Sequence, residues 1–379
     1  MFWRQKQQLA SVADFFKRKR DWSKYKDLIL DYYLEPYLQK VKQIGKPILV
    51  VDCFAGPGRF DDGQPGSPLI IAQHLSKLCR SGHQVAGFFV EANKSLYDRL
   101  KQNLSDLEIS AETYLGSFRD CIGEISRLAG THTVFVYLDP FRPKHLLFND
   151  LQTVYDQLKS GQSVETLINF MSASFLRGVH SFREKIILDG ELKPDHPLVL
   201  QWNEIAGGPY WQRIAFDPGL SADERADQLA DGYASKLSRW FKWTLIYPIR
   251  EKYEHTWPKY HLIFGSRYPD AVDLMNMAMV KARREFIKKD FIDGYLFAIE
   301  PEKEMIIPAE VQQAVIETIR HIGKTTWANL RVRATIANPA KYTGSEFDNA
   351  IKRAIREGKL RSDCAGTRIE QKAFVWPVD

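Results

Sequence analysis

Residues 49–60 read Leu49-Val50-Val51-Asp52-Cys53-Phe54-Ala55-Gly56-Pro57-Gly58-Arg59-Phe60: a short apolar run, a carboxylate, then a loop with two glycines. Such a run suits a strand buried on both faces of a parallel sheet, and glycines after it let backbone approach a ligand closely. The stretch predicts a nucleoside-type ligand at the carboxyl edge of a doubly wound α/β sheet. It reads equally as a plain turn after a core strand, so the choice rests on the apolar runs farther along the chain.

A second apolar run, Ala86 to Val90, closes on Glu91 and Ala92. An acid at the end of the second strand of such a sheet accepts hydrogen bonds from ribose hydroxyls. Gly-x-Gly-x-x-Gly is absent, no helix begins directly after Gly58, and there is no Gly-x-x-x-x-Gly-Lys-Ser/Thr phosphate loop. S-adenosylmethionine fits better than a dinucleotide, because it carries no phosphate and needs close backbone approach and a ribose acid. The expected cofactor contacts are Asp52, Phe54, Ala55, Gly56, Gly58, Glu91 and Ala92. A strand over 112–118 adds Gly116, Ser117 and Phe118 in an adenine-contacting turn.

A third apolar run, Val134 to Leu138, ends in Asp139-Pro140-Phe141. Methyltransferases that act on exocyclic amino groups carry Asp/Asn-Pro-Pro-Tyr/Phe at this place. A conjugated amine is a poor nucleophile until hydrogen bonds and a stacking plane hold it in line with the methyl group. Asp139 is therefore the candidate amine acceptor and Phe141 the candidate stacking ring. This chain is one proline short of that pattern, and a strand-ending turn is the alternative role for Pro140 and Phe141.

The 379 residues are 44% hydrophobic and 26% charged, as in a globular chain of two or three domains with a full core. No apolar stretch approaches the roughly 18–20 residues of a membrane span, and Arg4, Lys6 and Asp14 interrupt any signal peptide. No membrane association and a cytoplasmic location are expected. Cys53, Cys79, Cys121 and Cys364 lack Cys-x-x-Cys spacing, and there is no His-Glu-x-x-His, so no bound metal is expected. The charge of +6 is concentrated at the ends: eight Lys/Arg against three Asp in residues 1–27, and twelve Lys/Arg against eight Asp/Glu in residues 305–379. Basic ends around a cofactor-binding centre point to a polyanionic partner, DNA or RNA; solvated helix faces are the alternative.

Three regions are expected. Residues 1–45 read as N-terminal helices, Trp3 to Phe16 and Trp22 to Val41. Residues 46–300 read as the cofactor domain. In it, Asp61 to Gly66 is a flexible excursion and lid, Ser67 caps a helix to about Arg80, and a helical insertion covers about 176–228. Its Trp202, Tyr210 and Trp211 either stack on bases or anchor the insertion. The domain closes with an antiparallel hairpin, Trp243 to Ile249 and Tyr260 to Gly265. Residues 305–379 read as three helices and a two-stranded wing, a winged helix-turn-helix that presents Lys352, Arg353 and Arg356 to a groove; a protein contact is the alternative.

Several of these runs together resemble the three-Cys-motif partner family: Tyr-Leu-x-x-Tyr at 33–37, Phe-Ala-Gly-Pro-Gly-Arg-Phe with Gly-x-Pro-Gly-Ser-Pro-Leu at 54–69, Leu-Asp-Pro-Phe at 138–141, and the late Tyr-x-Leu-Ile-Phe strand. Trp22-Ser23-Lys24-x-Lys26 is similar to the family's Thr-Lys-x-Lys element. The resemblance spans about residues 22–285. It implies a class I methyltransferase-like fold with a winged-helix tail, from bacterial mobile-element or defence neighbourhoods, and a radical-S-adenosylmethionine-like partner protein with three cysteines. Where the family has Asp-Pro-Phe-Gly this chain has Arg142, a phosphate contact or the filler of a shortened turn.

The first reading is thus an S-adenosylmethionine-dependent methyltransferase on nucleic acid, with Lys24, Lys26, Arg142 and the tail holding the backbone. The alternative is a non-catalytic nucleic-acid-binding adaptor of a partner enzyme. The third is a metal-dependent nuclease using Asp61, Asp62 and Asp139.

Overall fold

The computed structural model describes residues 12–105, 107, 109–158, 162–188, 190–251, 255–294, 308–363 and 371–378, with side chains omitted at 12–14 and 288–294. The expected helix from Trp3 therefore begins outside the described residues, as does Cys364.

Five parallel strands form: β1 (Ile48–Asp52), β2 (Val85–Glu91) and β4 (Thr133–Leu138) where the apolar runs predict them, β3 (Ser110–Leu115), which starts two residues before the expected 112–118 and stops short of Gly116 to Phe118, and β5 (Val164–Phe170). A short pair, β6 (Ile187–Leu188) and β7 (Glu191–Leu192), lies outside the main sheet. The late hairpin supplies β8 (Trp243–Ile249) and β9 (Tyr260–Ser266), and β9 runs antiparallel to both β5 and β8. The main sheet is ordered β3-β2-β1-β4-β5-β9-β8. This mostly parallel order, with its reversed strand inserted beside β5, is that of class I methyltransferases. The switch point, where β1 is flanked by β2 and β4, places the ends of those strands at one crevice.

Alternate residues of β1 go to opposite faces. Ile48 and Val50 pack with α2 (Asp21–Val41), α3 (Ser67–Arg80), α4 (Lys94–Leu104) and α12 (Pro269–Gly294). Leu49 and Val51 pack with α5 (Ile122–Ala129), α6 (Phe148–Asp156) and the insertion. Two buried faces explain why β1 and β4 are nearly continuous apolar runs.

The segment expected as an insertion over 176–228 lies within a run of helices from Ser172 to Leu237. The run comprises α7 (Ser172–Ser181), α8 (Arg183–Ile186), α9 (Pro197–Ala206), α10 (Tyr210–Ala215) and α11 (Ala222–Leu237). Trp211 is fully buried and donates to Asn203, Trp202 packs on Phe175, and the Tyr210 hydroxyl donates to the Leu229 carbonyl. These aromatics anchor the insertion to the core.

At the carboxyl end stand α13 (Pro308–Ile322), β10 (Thr325–Thr326), α14 (Trp327–Ala337), α15 (Gly344–Arg356), β11 (Leu360–Ser362) and β12 (Phe374–Pro377), the strands pairing in the order β10-β12-β11. Val332 and Ala340 of this unit join the core cluster of α2 and α12. Arg331 reaches across to Asp273 on α12, 2.8 Å away.

Candidate active site

The glycine loop is built from β1 outward. Gly56 and Gly58 both take left-handed backbone, φ +64° and +79°, which favours glycine at each. Asp52 does not face the crevice: it is fully buried, accepting from the Phe54 amide (3.1 Å) and the Ser67 hydroxyl (2.7 Å). Burial pushes its carboxyl up to about 7, against the pull of those hydrogen bonds. Its role is to fasten the loop to the start of α3. Ser67 is accordingly not the cap of that helix; Gly66 occupies the cap position, and the serine hydroxyl is spent on Asp52.

Glu91 stands where a ribose acid is expected. One carboxylate oxygen accepts from the Gly56 amide at 2.9 Å and the other from the Asn93 amide at 2.6 Å. Each oxygen keeps a second lone pair, so the pair of them fits two ribose hydroxyls. Burial raises its pKa, opposed by the backbone amides. Ala55 is buried, with its amide on the Val90 carbonyl, and Ala92 is exposed beside Glu91. Gly116 donates to the Glu91 carbonyl, and Ser117 caps the short turn after it through Asp120. Phe118 is buried against Phe54. Gly56, Glu91, Asn93 and Gly116 are thus joined by hydrogen bonds at the ends of the strands, with Asp52, Ala55 and Phe118 buried behind them.

The excursion after Gly58 is pinned. The Asp61 amide donates to the Phe16 carbonyl, the Lys19 amide to Asp62, and the Lys19 ammonium to the Pro65 carbonyl at 2.6 Å. Arg99 holds Asp61 at 2.6 Å. The partner in this clamp is the end of α1 (Val12–Lys17) and the residues after it. Phe16 lies against Gly56 and packs on Phe60, while Phe15 meets Phe141 edge-on, ring centroids 5.3 Å apart. Two consecutive residues thus touch both the glycine loop and the Asp-Pro-Phe corner, placing the two on a single crevice and covering part of it. No motif in the sequence marks Phe15 and Phe16 for this place.

Asp139 sits at the end of β4 with its side chain 24% exposed. It is ion-paired with Lys26 and accepts from the Asn169 amide at 2.5 Å. Lys26 is 4% exposed, 3.3 Å from Asp27, and lies over the Tyr137 ring. Burial works to lower its pKa, but Asp139 and Asp27 outweigh that and hold the ammonium well above its usual range. Lys26 is therefore not a phosphate contact, as its charge is consumed inside the protein. Pro140 is buried, and Phe141 and Arg142 are half-buried.

Lys24 is half-buried and paired with Asp21. On α15, Arg356 is exposed, Lys352 half-buried, and Arg353 bonded to Glu357 at 2.7 Å. Asp61 and Asp62 are committed to Arg99 and to backbone amides, and among the described residues no group of three His, Cys, Asp or Glu could hold a metal. No helix among them is long and apolar enough to cross a membrane. A relay runs from buried Ser172 through buried His261 to the exposed Asp227, with both links 2.8 Å, and ties β9 to α7 and α11.

No protein-family model and no curated protein matches the chain. Solved structures do. Trm1 from Pyrococcus horikoshii in complex with S-adenosyl-L-methionine aligns at 10% identity and TM-score 0.39, over 84% of this chain and 90% of that one. The O-methyltransferase TomG from Streptomyces achromogenes, in complex with SAM, aligns at 12% identity and TM-score 0.34, over 66% and 92%. Such values carry no residue role, ligand or substrate across to this chain.

Proposed function

We propose that the chain is an S-adenosylmethionine-dependent methyltransferase acting on nucleic acid, with a base amino group as its target. The observation that carries the reading is the convergence of Glu91, the left-handed Gly56 and the Asp139 corner on one sheet edge. S-adenosylmethionine supplies an electrophilic methyl group when bound there. Glu91 binds the ribose, Gly56 and Gly58 keep the backbone low beside it, and Ser117 and Phe118 border the adenine. Asp139 accepts a hydrogen of the target amine, which draws the nitrogen lone pair out of conjugation, and Phe141 stacks on the base. The C-terminal unit is read as a winged helix that binds the nucleic-acid backbone through Lys352 and Arg356, with Arg142 nearer the target. The family resemblance adds a radical-S-adenosylmethionine-like partner, tested by co-purification.

Calorimetric titration with S-adenosylmethionine and S-adenosylhomocysteine should show binding that Glu91→Ala weakens by about tenfold or more. Transfer of labelled methyl to DNA or RNA should disappear in Asp139→Ala while cofactor binding survives. Label on protein alone would overturn the substrate. The covering of Gly56 by Phe16 favours one second reading, a nucleic-acid-binding adaptor without catalysis; absence of heat with both compounds would select it.

A further inference from the structure

Asn169, at the end of β5 beside Asp139, is 5% exposed, and its side-chain carbonyl Oδ1 has no hydrogen-bond partner among the described residues. A buried carbonyl left without a donor has lost its hydration with nothing to replace it, so such atoms are uncommon unless something meets them. The amide cannot be turned to cure this. Asp139 is ion-paired with Lys26 and so only accepts, which obliges Asn169 to present its NH2 to Asp139 and leaves Oδ1 over. The residue helps to line a narrow apolar recess with Pro140, Phe170, Met171 and Tyr233, beside the Asp-Pro-Phe corner.

We propose that Asn169 is a substrate-binding residue: its Oδ1 and the Asp139 carboxylate form a two-acceptor seat that selects a group carrying two hydrogens, a primary exocyclic amine, over a hydroxyl or a ring carbon. This rests on the methyltransferase reading above. In the transfer, the nitrogen lone pair forms the bond to the methyl carbon as the sulfur–carbon bond breaks and its electrons stay on sulfur. The surplus proton passes to the Asp139 carboxylate, which opens to solvent. The product amine has one hydrogen left and fills only one acceptor, so a second methylation is disfavoured.

The test uses DNA and RNA oligonucleotides with adenine or cytosine, and counterparts whose amino group is replaced by hydrogen. With S-adenosylhomocysteine present, the unaltered protein should bind the amine-bearing oligonucleotide about tenfold more tightly, and equal affinity would overturn the proposal. Asn169→Ala and Asn169→Ser should keep S-adenosylhomocysteine affinity and Tm while losing that preference and about tenfold in kcat/KM. They should also narrow the gap between unmethylated and monomethylated amines. If the unaltered protein methylates an amine and both variants match it, Asn169 is excluded and the transferase reading stands. Methylation of oxygen or carbon overturns the seat alone. A protein that neither binds S-adenosylhomocysteine nor transfers methyl removes both.

Discussion

The ring of Phe16 stands over the α-carbon of Gly56 so closely that a Cβ there would lie 2.9 Å from its Cζ. The contact links the N-terminal segment to the loop on which the cofactor reading depends, so each residue has a separate consequence. Gly56→Ala adds a methyl into the ring at a left-handed φ of +64° and should lower stability by about 1–3 kcal/mol. Phe16→Ala removes the cover and leaves the loop intact. It should raise both association and dissociation rates of S-adenosylhomocysteine in stopped-flow fluorescence with a small change in Tm. Unchanged rates would mean that the ring is core packing and not a gate.

Lys26 and Asp139 bury a charge pair at the edge of the crevice, and removing one member strands the other. Lys26→Met should cost on the order of 3–5 kcal/mol in denaturant unfolding, against under about 1 kcal/mol for Lys24→Met. Methyl transfer should fall with it, because Asp139 loses the partner that fixes its orientation. The salt slope of nucleic-acid binding should not move. A Lys26→Met protein of normal stability with a reduced salt slope would restore the lysine as a phosphate contact.

The places of β1, β2 and β4 and of the glycine turns were legible because each is written locally. An apolar run ending in an acid says where a strand stops, and Gly56 and Gly58 say where the backbone turns left-handed. The inward position of Lys26 is also written in the helix register, against its expected place on phosphate: it lies on the stripe of Ile29, Leu30, Tyr33 and Tyr37, all buried, and a lysine in that register faces the core. Asn169 stood at the expected strand end, but its significance depends on which amide face Asp139 claims, and that is a tertiary fact. The cover by Phe15 and Phe16 and the pinning of the Asp61–Gly66 excursion are likewise long-range. Glycine and aspartate suggested a loose loop, while its backbone partners come from more than forty residues away.

Glu165 on β5 gives a pH signature. It is fully buried, accepts from Tyr33, and burial pushes its carboxyl up to about 7 against the pull of that hydrogen bond. Its folded pKa lies above its unfolded one, so the folded chain binds the proton more tightly. Stability present below the unfolded value of about 4.3 is then lost as pH rises through about 7. Glu165→Gln removes that loss, and Asp52 leaves a residual slope of the same sign. In denaturant unfolding at pH 5 and pH 8, the variant should gain roughly 2 kcal/mol on the parent at the higher pH. A difference independent of pH would show that Glu165 does not titrate in this range.

Deleting residues 305–379 would be a poor test of nucleic-acid binding, because Val332 and Ala340 belong to the core cluster of α2 and α12 and Arg331 neutralises Asp273. The first turn of α15 is also engaged, with Glu346 on Arg284 and Asp348 on Arg331. What remains for a polyanion is the outer, later part of that helix, where Asn349 and Arg356 are exposed and Lys352 is half-buried. Arg353 is held by Glu357, which also takes Lys359. Lys352→Ala and Arg356→Ala should each reduce the salt slope of oligonucleotide binding by about one, measured by fluorescence anisotropy between about 50 and 200 mM salt. Arg353→Ala should do less, since it also frees an acid beside the same phosphates. Slopes unchanged from the parent in all three would assign the face to a protein partner, because only contacts to phosphate release counterions from the nucleic acid.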